Sequence, residues 1–481
     1  MAARILSLIA STAALVAAVE PSLKLKTFVD SLELGSSFNP VMEAYWTGLP
    51  HHRRTPFAVS PDGKTGYLAY LDSSGTGVHV QQVDPSTMAA TGTAVTIENV
   101  KEAGGLVAHN DGFALLGNEP IATTVANAPP SGTPVPAIYR YSNGEQQWKT
   151  FVAGPGVHEE DGLSMAPDMN GDLVWSEEAE LYGAYFVVTD YSGDATGHFG
   201  DSIQYVNSNG TLEVIDGASS SWGCSHNTGI AFEAADEAPF ASICAEDQGA
   251  IWLNTGATGM MNNGVKVSNE NTTNGAGGES LGGMSGSYSG LARFVNSSSY
   301  IFTWVSRGAV DLTENTWMGE GYTASQNRTN GRRVAMAMFT DKSTKATAQA
   351  SSTVGASGDD QVNWITTEIG ADRSNAHVAV FDDQYALISY EEIAEPSCDF
   401  IAMGCSGTFT GSYFQLVNTA GQKIGEPVKS ENTYVAGDMV TRDDGSICWP
   451  YVNMEWRLDV PALSLNVAET QKMSFACMSL A

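Results

Sequence analysis

Five of the eight histidines in this 481-residue chain stand in short polar segments, each close ahead of an apolar run. The segments are His51-His52-Arg53-Arg54, His158-Glu159-Glu160-Asp161, Ser225-His226-Asn227, and the stretch holding Arg373, Asn375 and His377. Glu102, Ser285, Tyr288 and Asp438 stand in the same relation to other apolar runs. Arginine holds a carboxylate through two parallel hydrogen bonds. Histidine and tyrosine exchange protons where their surroundings tune them. If the chain gathers these residues, Arg53, Arg54, His158, Arg373 and His377 would bind an acidic sugar, with Trp222 stacked on it. His226 and Tyr288 would then move the proton in an elimination beside a uronate, whose charge arginine neutralises.

A second group is set up for metal. Asp190, Asp194, His198, Asp201, Cys224 and His226 share one Gly-rich stretch, and His198 with Asp201 is its best pair for a divalent cation. No His-x3-His spacing supports it, so the competing reading is a loop of turn-forming Asp and Gly. Asp168-Met169-Asn170-Gly171-Asp172 offers oxygens at alternating positions, as calcium requires. Leu173, Val174 and Trp175 follow at once where further ligands would stand, so a plain hairpin turn is expected there. The sequence fixes no cofactor; calcium is the divalent cation these segments would take.

The elements that must position these groups repeat. An apolar stretch, a polar turn and a second apolar stretch recur from Phe57, Leu106, Leu163, Ile230, Leu291, Val378 and Met439. Asp, Asn, Gly and Pro build the turns, as in Pro61-Asp62-Gly63 and Asp443-Asp444-Gly445. Most copies are followed by another strand-turn-strand pattern. Four strands per unit, in seven units, predict an all-β fold, a β-propeller with seven four-stranded blades. A β-helix would have shorter coils, and a sandwich would not repeat one four-strand unit. Residues ahead of each innermost strand would then meet at one mouth of the central channel, where polar residues also collect simply to solvate backbone ends. Lys24 to Leu34 is a candidate closing strand, beside Arg457 to Val467 or Lys472 to Leu480, the alternative being a free N-terminal arm.

Residues 1–18 carry one basic residue, Arg4, an apolar run from Ile5 to Val16 and small residues at Ala17 and Ala18. They read as a secretory signal, too short to span a membrane, leaving 19–481 as a single propeller domain. Six cysteines suit an oxidising compartment, and neighbour pairing gives Cys224–Cys244, Cys398–Cys405 and Cys448–Cys477. Sequons at Asn209, Asn271, Asn296 and Asn327 suit a glycoprotein. With 54 acidic residues against 23 basic ones, the formal charge of −31 excludes nucleic acid and anionic membranes as partners. Trp175, Trp304 and Trp449 fall in second strands and are expected in the core. Trp46, Trp222 and Trp317 fall in loops, where aromatic faces can stack on sugars.

Gly197-His198-Phe199-Gly200-Asp201 and Trp222-Gly223-Cys224-Ser225-His226 are similar to strings in secreted and lipoprotein-type propellers that have no assigned chemistry. The Asp168 turn resembles the calcium loops of integrin-type propellers. The Ser-x-Asp-x-Gly-x-Thr-x-Trp turn of sialidase-type propellers is absent. The chain as a whole loosely resembles carbohydrate-active or lectin-type propellers. With the signal segment, the mouth residues and the loop aromatics, this points to a secreted monomer that binds an extracellular glycan, uronate-containing in the sharpest form, and in the stronger reading also cleaves it as a lyase or glycoside hydrolase. The alternative is a non-enzymatic scaffold or adhesion protein of a matrix or cell wall.

Overall fold

The computed structural model describes residues 21–44, 48–157, 163–165, 171–191, 199–220, 229–245, 250–253, 264–269, 288–311, 325–327, 331–348, 354–355, 362–398 and 404–481. Seven antiparallel sheets stand around one axis as blades, and the chain is all-β apart from a single 3-10 turn, Ala462–Ser464, among the described residues. The innermost strands are Phe57–Val59, Ala103–His109, Leu163–Met165 with Gly171–Ser176, Ile230–Glu233, Leu291–Arg293, Ala371–Val380 and Val440–Thr441. Each touches the next, and the last touches the first, so the ring is closed.

The repeat places the blades correctly but not every strand end. In blade 6 the innermost strand already begins at Ala371, ahead of the repeat start at Val378. Arg373, Asn375 and His377 therefore lie within that strand, not ahead of it.

Closure uses the N-terminus. Leu23–Phe38 runs antiparallel beside Thr470–Leu480, with Lys26 opposite Cys477, and completes blade 7 as its outermost strand. Residues 457–467 carry the 3-10 turn and are not the partner. Cys448 stands opposite Cys477 on neighbouring strands of this blade and is bonded to it, and Cys398 is bonded to Cys405. The expected Cys224–Cys244 pair reaches outside the described residues.

The apolar residues sort into seven clusters, one at each interface between adjacent blades. Alternation along each strand gives every blade two apolar faces, and each face is covered by its neighbour. Trp304 and Trp449 are buried in two of these clusters, while Trp175 is half-buried against Tyr182. Trp46, Trp222 and Trp317 lie outside the described residues. At the interface of blades 7 and 1, Phe38 of the closing strand packs on Tyr70 at a ring distance of 5.9 Å, and both are fully buried.

Phe38→Ala should cost about 3–5 kcal/mol in urea unfolding, because it opens a cavity in the interface that shuts the ring. Val29→Ala, on the exposed side of the same strand, should stay within about 0.5 kcal/mol. Equal midpoints for the two variants would mean that the closing strand does not hold the ring.

Candidate site at the channel mouth

Arg54 stands on the leader into blade 1 and is 8% exposed. Its guanidinium donates to the carbonyls of Gly104 in blade 2 and Gly171 in blade 3. It also donates to Asp172 Oδ1 at 3.1 Å in blade 3 and to Asp438 Oδ1 at 2.6 Å ahead of blade 7. Asp438 Oδ2 accepts the Phe57 N–H at 3.0 Å, and the Tyr288 ring ahead of blade 5 lies 4.6 Å from the guanidinium. One cation thus ties together residues of five blades.

Close backbone approach makes this geometry available. A Cβ on Gly105 would sit 2.6 Å from Leu173 N, and one on Gly437 would sit 2.2 Å from the Thr55 carbonyl. Only glycine lets these leaders and strands meet. Beside this clamp, Arg53 donates to both oxygens of Glu102, at 3.0 and 2.9 Å.

Burial raises the Asp172 carboxyl, the Arg54 charge pulls it down, and the Asp438 carboxylate pushes it up again, leaving it at about 7. Burial likewise pushes the Tyr288 phenol well above its ordinary value, against the pull of Arg54, so it stays a neutral hydroxyl.

Next to the clamp is a cavity of about 90 Å3. Its polar wall is a chain of hydrogen bonds. His52 Nε2 lies 2.8 Å from Glu391 Oε1, and the Trp456 indole N–H donates to Glu391 Oε2 at 2.9 Å. Asn375 Nδ2 donates to Glu391 Oε1 at 2.9 Å, and Asn375 Oδ1 faces His377 Nε2 at 2.7 Å. Burial alone would raise the Glu391 carboxyl, but the charge of His52 and these three hydrogen bonds overcome it and hold the group low. His52 stacks on Trp456 at 3.7 Å, and His377 stacks on Tyr288 at 4.6 Å.

His51 Nδ1 lies 2.7 Å from the His52 carbonyl, which can only accept, so this nitrogen carries the proton. Burial, reinforced by the charge of His52, lowers the pKa of His51, so its ring is neutral and Nε2 keeps a lone pair. That Nε2 has no hydrogen-bond partner among the described residues. Neither have two buried hydroxyls, Tyr288 Oη and Ser374 Oγ. All three residues line the cavity, as do Trp304 and Trp456.

Of the residues singled out in sequence, Arg53, Arg54, Tyr288 and His377 meet at this mouth, together with Glu102 and Asp438. Arg373 does not. A bulge between Ser374 and His377, with Asn375 at φ 51°, changes which face of the strand each residue presents. Ser374 stands opposite Glu391 and both line the cavity, whereas Arg373 stands opposite Glu392 and is ion-paired with it at 2.8 Å. His158, His198, Trp222 and His226 lie outside the described residues, as does most of the Asp168 turn. Asp201 is fully buried beside Tyr185, whose phenol burial and the Asp201 charge push well above its ordinary value. Among the described residues, Asp372, Cys398 and Cys405 form the one group of metal-ligating type. The two sulfurs are joined in a disulfide and Asp372 is held by Arg332 at 2.7 Å, so no ligand set for a cation results.

Sequence reading missed Glu391, Trp456 and Ser374. The acid pair in Leu387-Ile388-Ser389-Tyr390-Glu391-Glu392-Ile393 was the available signal, because a carboxylate inside a strand this apolar needs a buried partner.

No family model and no curated protein matches the chain. Solved structures that resemble it include the WD40 domain of Toxoplasma gondii coronin, at 8% identity and TM-score 0.40 over 96% of this chain and 87% of that one. Trypanosoma rangeli sialidase matches at 12% identity and TM-score 0.36 over 77% of this chain and 58% of its own. The endo-arabinase from Bacteroides thetaiotaomicron matches at 8% identity and TM-score 0.30 over 80% of this chain and 95% of its own. The chain therefore spans little more than half the length of the sialidase, and no residue role is carried across from any of the three. The class of protein that the coordinates define is a seven-bladed β-propeller. Among the described residues no helix is long and apolar enough to cross a membrane.

Arg54→Lys should cost about 3–5 kcal/mol in urea unfolding, since one ammonium cannot serve two carboxylates and two carbonyls. A loss below about 1 kcal/mol would show that the clamp is dispensable. The Asp172 carboxyl is raised, so the folded chain keeps a proton that the unfolded chain has released between the ordinary carboxylate value and about 7. Its contribution to stability is full at low pH and is lost as pH rises through 7. Between about pH 5 and about pH 8, Asp172→Asn should therefore lose less stability than the parent chain, and parallel losses would contradict this assignment.

Proposed function

We propose that this propeller is a secreted glycan-binding protein that seats a neutral sugar residue at its channel mouth, with one edge of the sugar reaching into the cavity. One observation carries this reading. Among the described residues, two buried hydroxyls, Tyr288 Oη and Ser374 Oγ, have no hydrogen-bond partner, and both residues line the cavity together with Trp304 and Trp456. Buried polar groups are normally satisfied, and leaving one bare costs about 1–3 kcal/mol. A ligand that brings its own hydroxyls removes that cost. The lone pair of His51 Nε2 asks for a donor, which a sugar hydroxyl supplies and a carboxylate does not.

The uronate form of the idea loses its support. Arg53 is spent on Glu102, Arg54 on Asp172 and Asp438, and Arg373 on Glu392. The buried Glu391 carboxylate adds repulsion against an anion. Tyr288, held as a neutral phenol, serves as a hydrogen-bonding group and not as a base, so binding rather than elimination is the reading the geometry favours. The residue 1–18 segment and the disulfides support secretion into an oxidising compartment.

Titration calorimetry against a panel of neutral monosaccharides, their oligomers and uronates tests this. Neutral sugars should bind, and Tyr288→Phe and Ser374→Ala should each weaken binding by about tenfold. Binding of uronates alone, or affinity unchanged in both variants, would remove the assignment. A folded protein that binds nothing in the panel would favour the scaffold role.

A further inference from the structure

The amide of Asn375 can be oriented from its partners. Its nitrogen lies 2.9 Å from Glu391 Oε1 and 2.9 Å from the Val435 carbonyl. The carbonyl, and the carboxylate in its ionised form, accept hydrogen bonds and do not donate them, so the nitrogen must point there. The amide oxygen then faces His377 Nε2 at 2.7 Å. On the other side of the ring, His377 Nδ1 lies 3.0 Å from the Tyr288 carbonyl. Both ring nitrogens of His377 therefore face oxygens that bring no hydrogen. A neutral imidazole has one N–H and satisfies one of them; an imidazolium satisfies both.

We infer that His377 is a proton-operated positioning residue for the channel-mouth cavity, taking up a second ring proton in acid and then fixing Tyr288 through a closed chain that ends on Glu391. The proton comes from water, and whichever nitrogen it joins, the doubly protonated ring donates to Asn375 Oδ1 and to the Tyr288 carbonyl at once. Glu391 remains a carboxylate and balances the charge through the Asn375 amide. No covalent bond forms or breaks in any side chain.

Several groups bear on this uptake. Tyr288 stacks on the ring, and the Arg54 cation and the Asp438 carboxylate stand beside Tyr288. His51 and His52 approach from the leader of blade 1, and Glu391 from the neighbouring strand. Burial drives the His377 pKa down to about 3, and His51 and His52 act the same way when they carry charge, while the Tyr288 carbonyl and Glu391 raise it. The acceptor at Nε2 adds to the raising side, since in the neutral ring two lone pairs oppose each other at 2.7 Å.

The inference deepens the sugar-binding reading and rests on it for its purpose, because Tyr288 Oη is one of the two hydroxyls offered to the ligand. It predicts tighter binding in acid.

A ring-nitrogen NMR titration of histidine-labelled protein, with no sugar added, tests the device. As pH falls towards about 3 both nitrogens of His377 should come to carry protons, and the Tyr288 ring signals should move with the same midpoint. Asn375→Gly removes the acceptor, and glycine keeps the left-handed φ of 51° without strain. In that variant the midpoint should fall by about one unit. A His377 ring with a single proton throughout the titration overturns the inference, and so does an unchanged midpoint in Asn375→Gly. Tyr288 signals that ignore the titration overturn the positioning role. The parent chain alone gives the proton count should the variant not fold. Because no sugar is present, failure of the sugar panel and failure of this titration are separate results.

Discussion

The structure depends on one buried cation. A propeller is a ring of sheets, and each blade covers only its two neighbours, so the apolar clusters link blades pairwise and leave the axis to polar groups. Arg54 fills that place. Through four hydrogen-bond acceptors and one aromatic ring it joins blades 1, 2, 3, 5 and 7 at the top of the channel. A buried ion pair is weak evidence for stability in itself, because desolvation offsets much of the attraction. Here the gain is in uniqueness of arrangement. The five partners are brought from distant parts of the chain to one point, and any slip of a blade would leave a charge or a carbonyl bare.

That clamp also defines the wall of the cavity. Tyr288 touches both: the Arg54 guanidinium lies near its ring, the residue lines the cavity, and its buried hydroxyl has no partner among the described residues. Rigid polar groups that are not satisfied by the protein itself are what a binding site requires, since they are ordered before the ligand arrives. The arginines first suspected of holding a substrate turn out to be part of the frame. Among the described residues, two hydroxyls and a neutral imidazole nitrogen are left without a protein partner, and the sugar-binding proposal rests on these.

How far the sequence carried the reading follows from physical range. Repeats are local, so seven hairpins and their leaders could be found from turn residues and alternation alone. The leaders then placed Arg53, Arg54, Glu102, Tyr288 and Asp438 at a common mouth, because the fold itself gathers them. What could not be read was whether a given arginine is free, since its partner lies tens to hundreds of residues away. Asp172 and Asp438, on either side of Arg54, illustrate this. Nor was the bulge at Asn375 visible, and that single extra residue sends Arg373 to Glu392 while presenting Ser374 and Glu391 to the cavity. Glu391 enters through cross-strand register and Trp456 through a loop after the second strand of blade 7, and neither is fixed by a repeat.

The central claim is that the bare hydroxyls of Tyr288 and Ser374 mark the place of a neutral sugar. A crystal of the protein soaked with a neutral sugar tests it most directly. Sugar density is expected at the mouth of the cavity, with hydroxyls of one ring edge within hydrogen-bond distance of Tyr288 Oη, Ser374 Oγ and His51 Nε2. A cavity that holds only water while the sugar sits elsewhere on the propeller would contradict it.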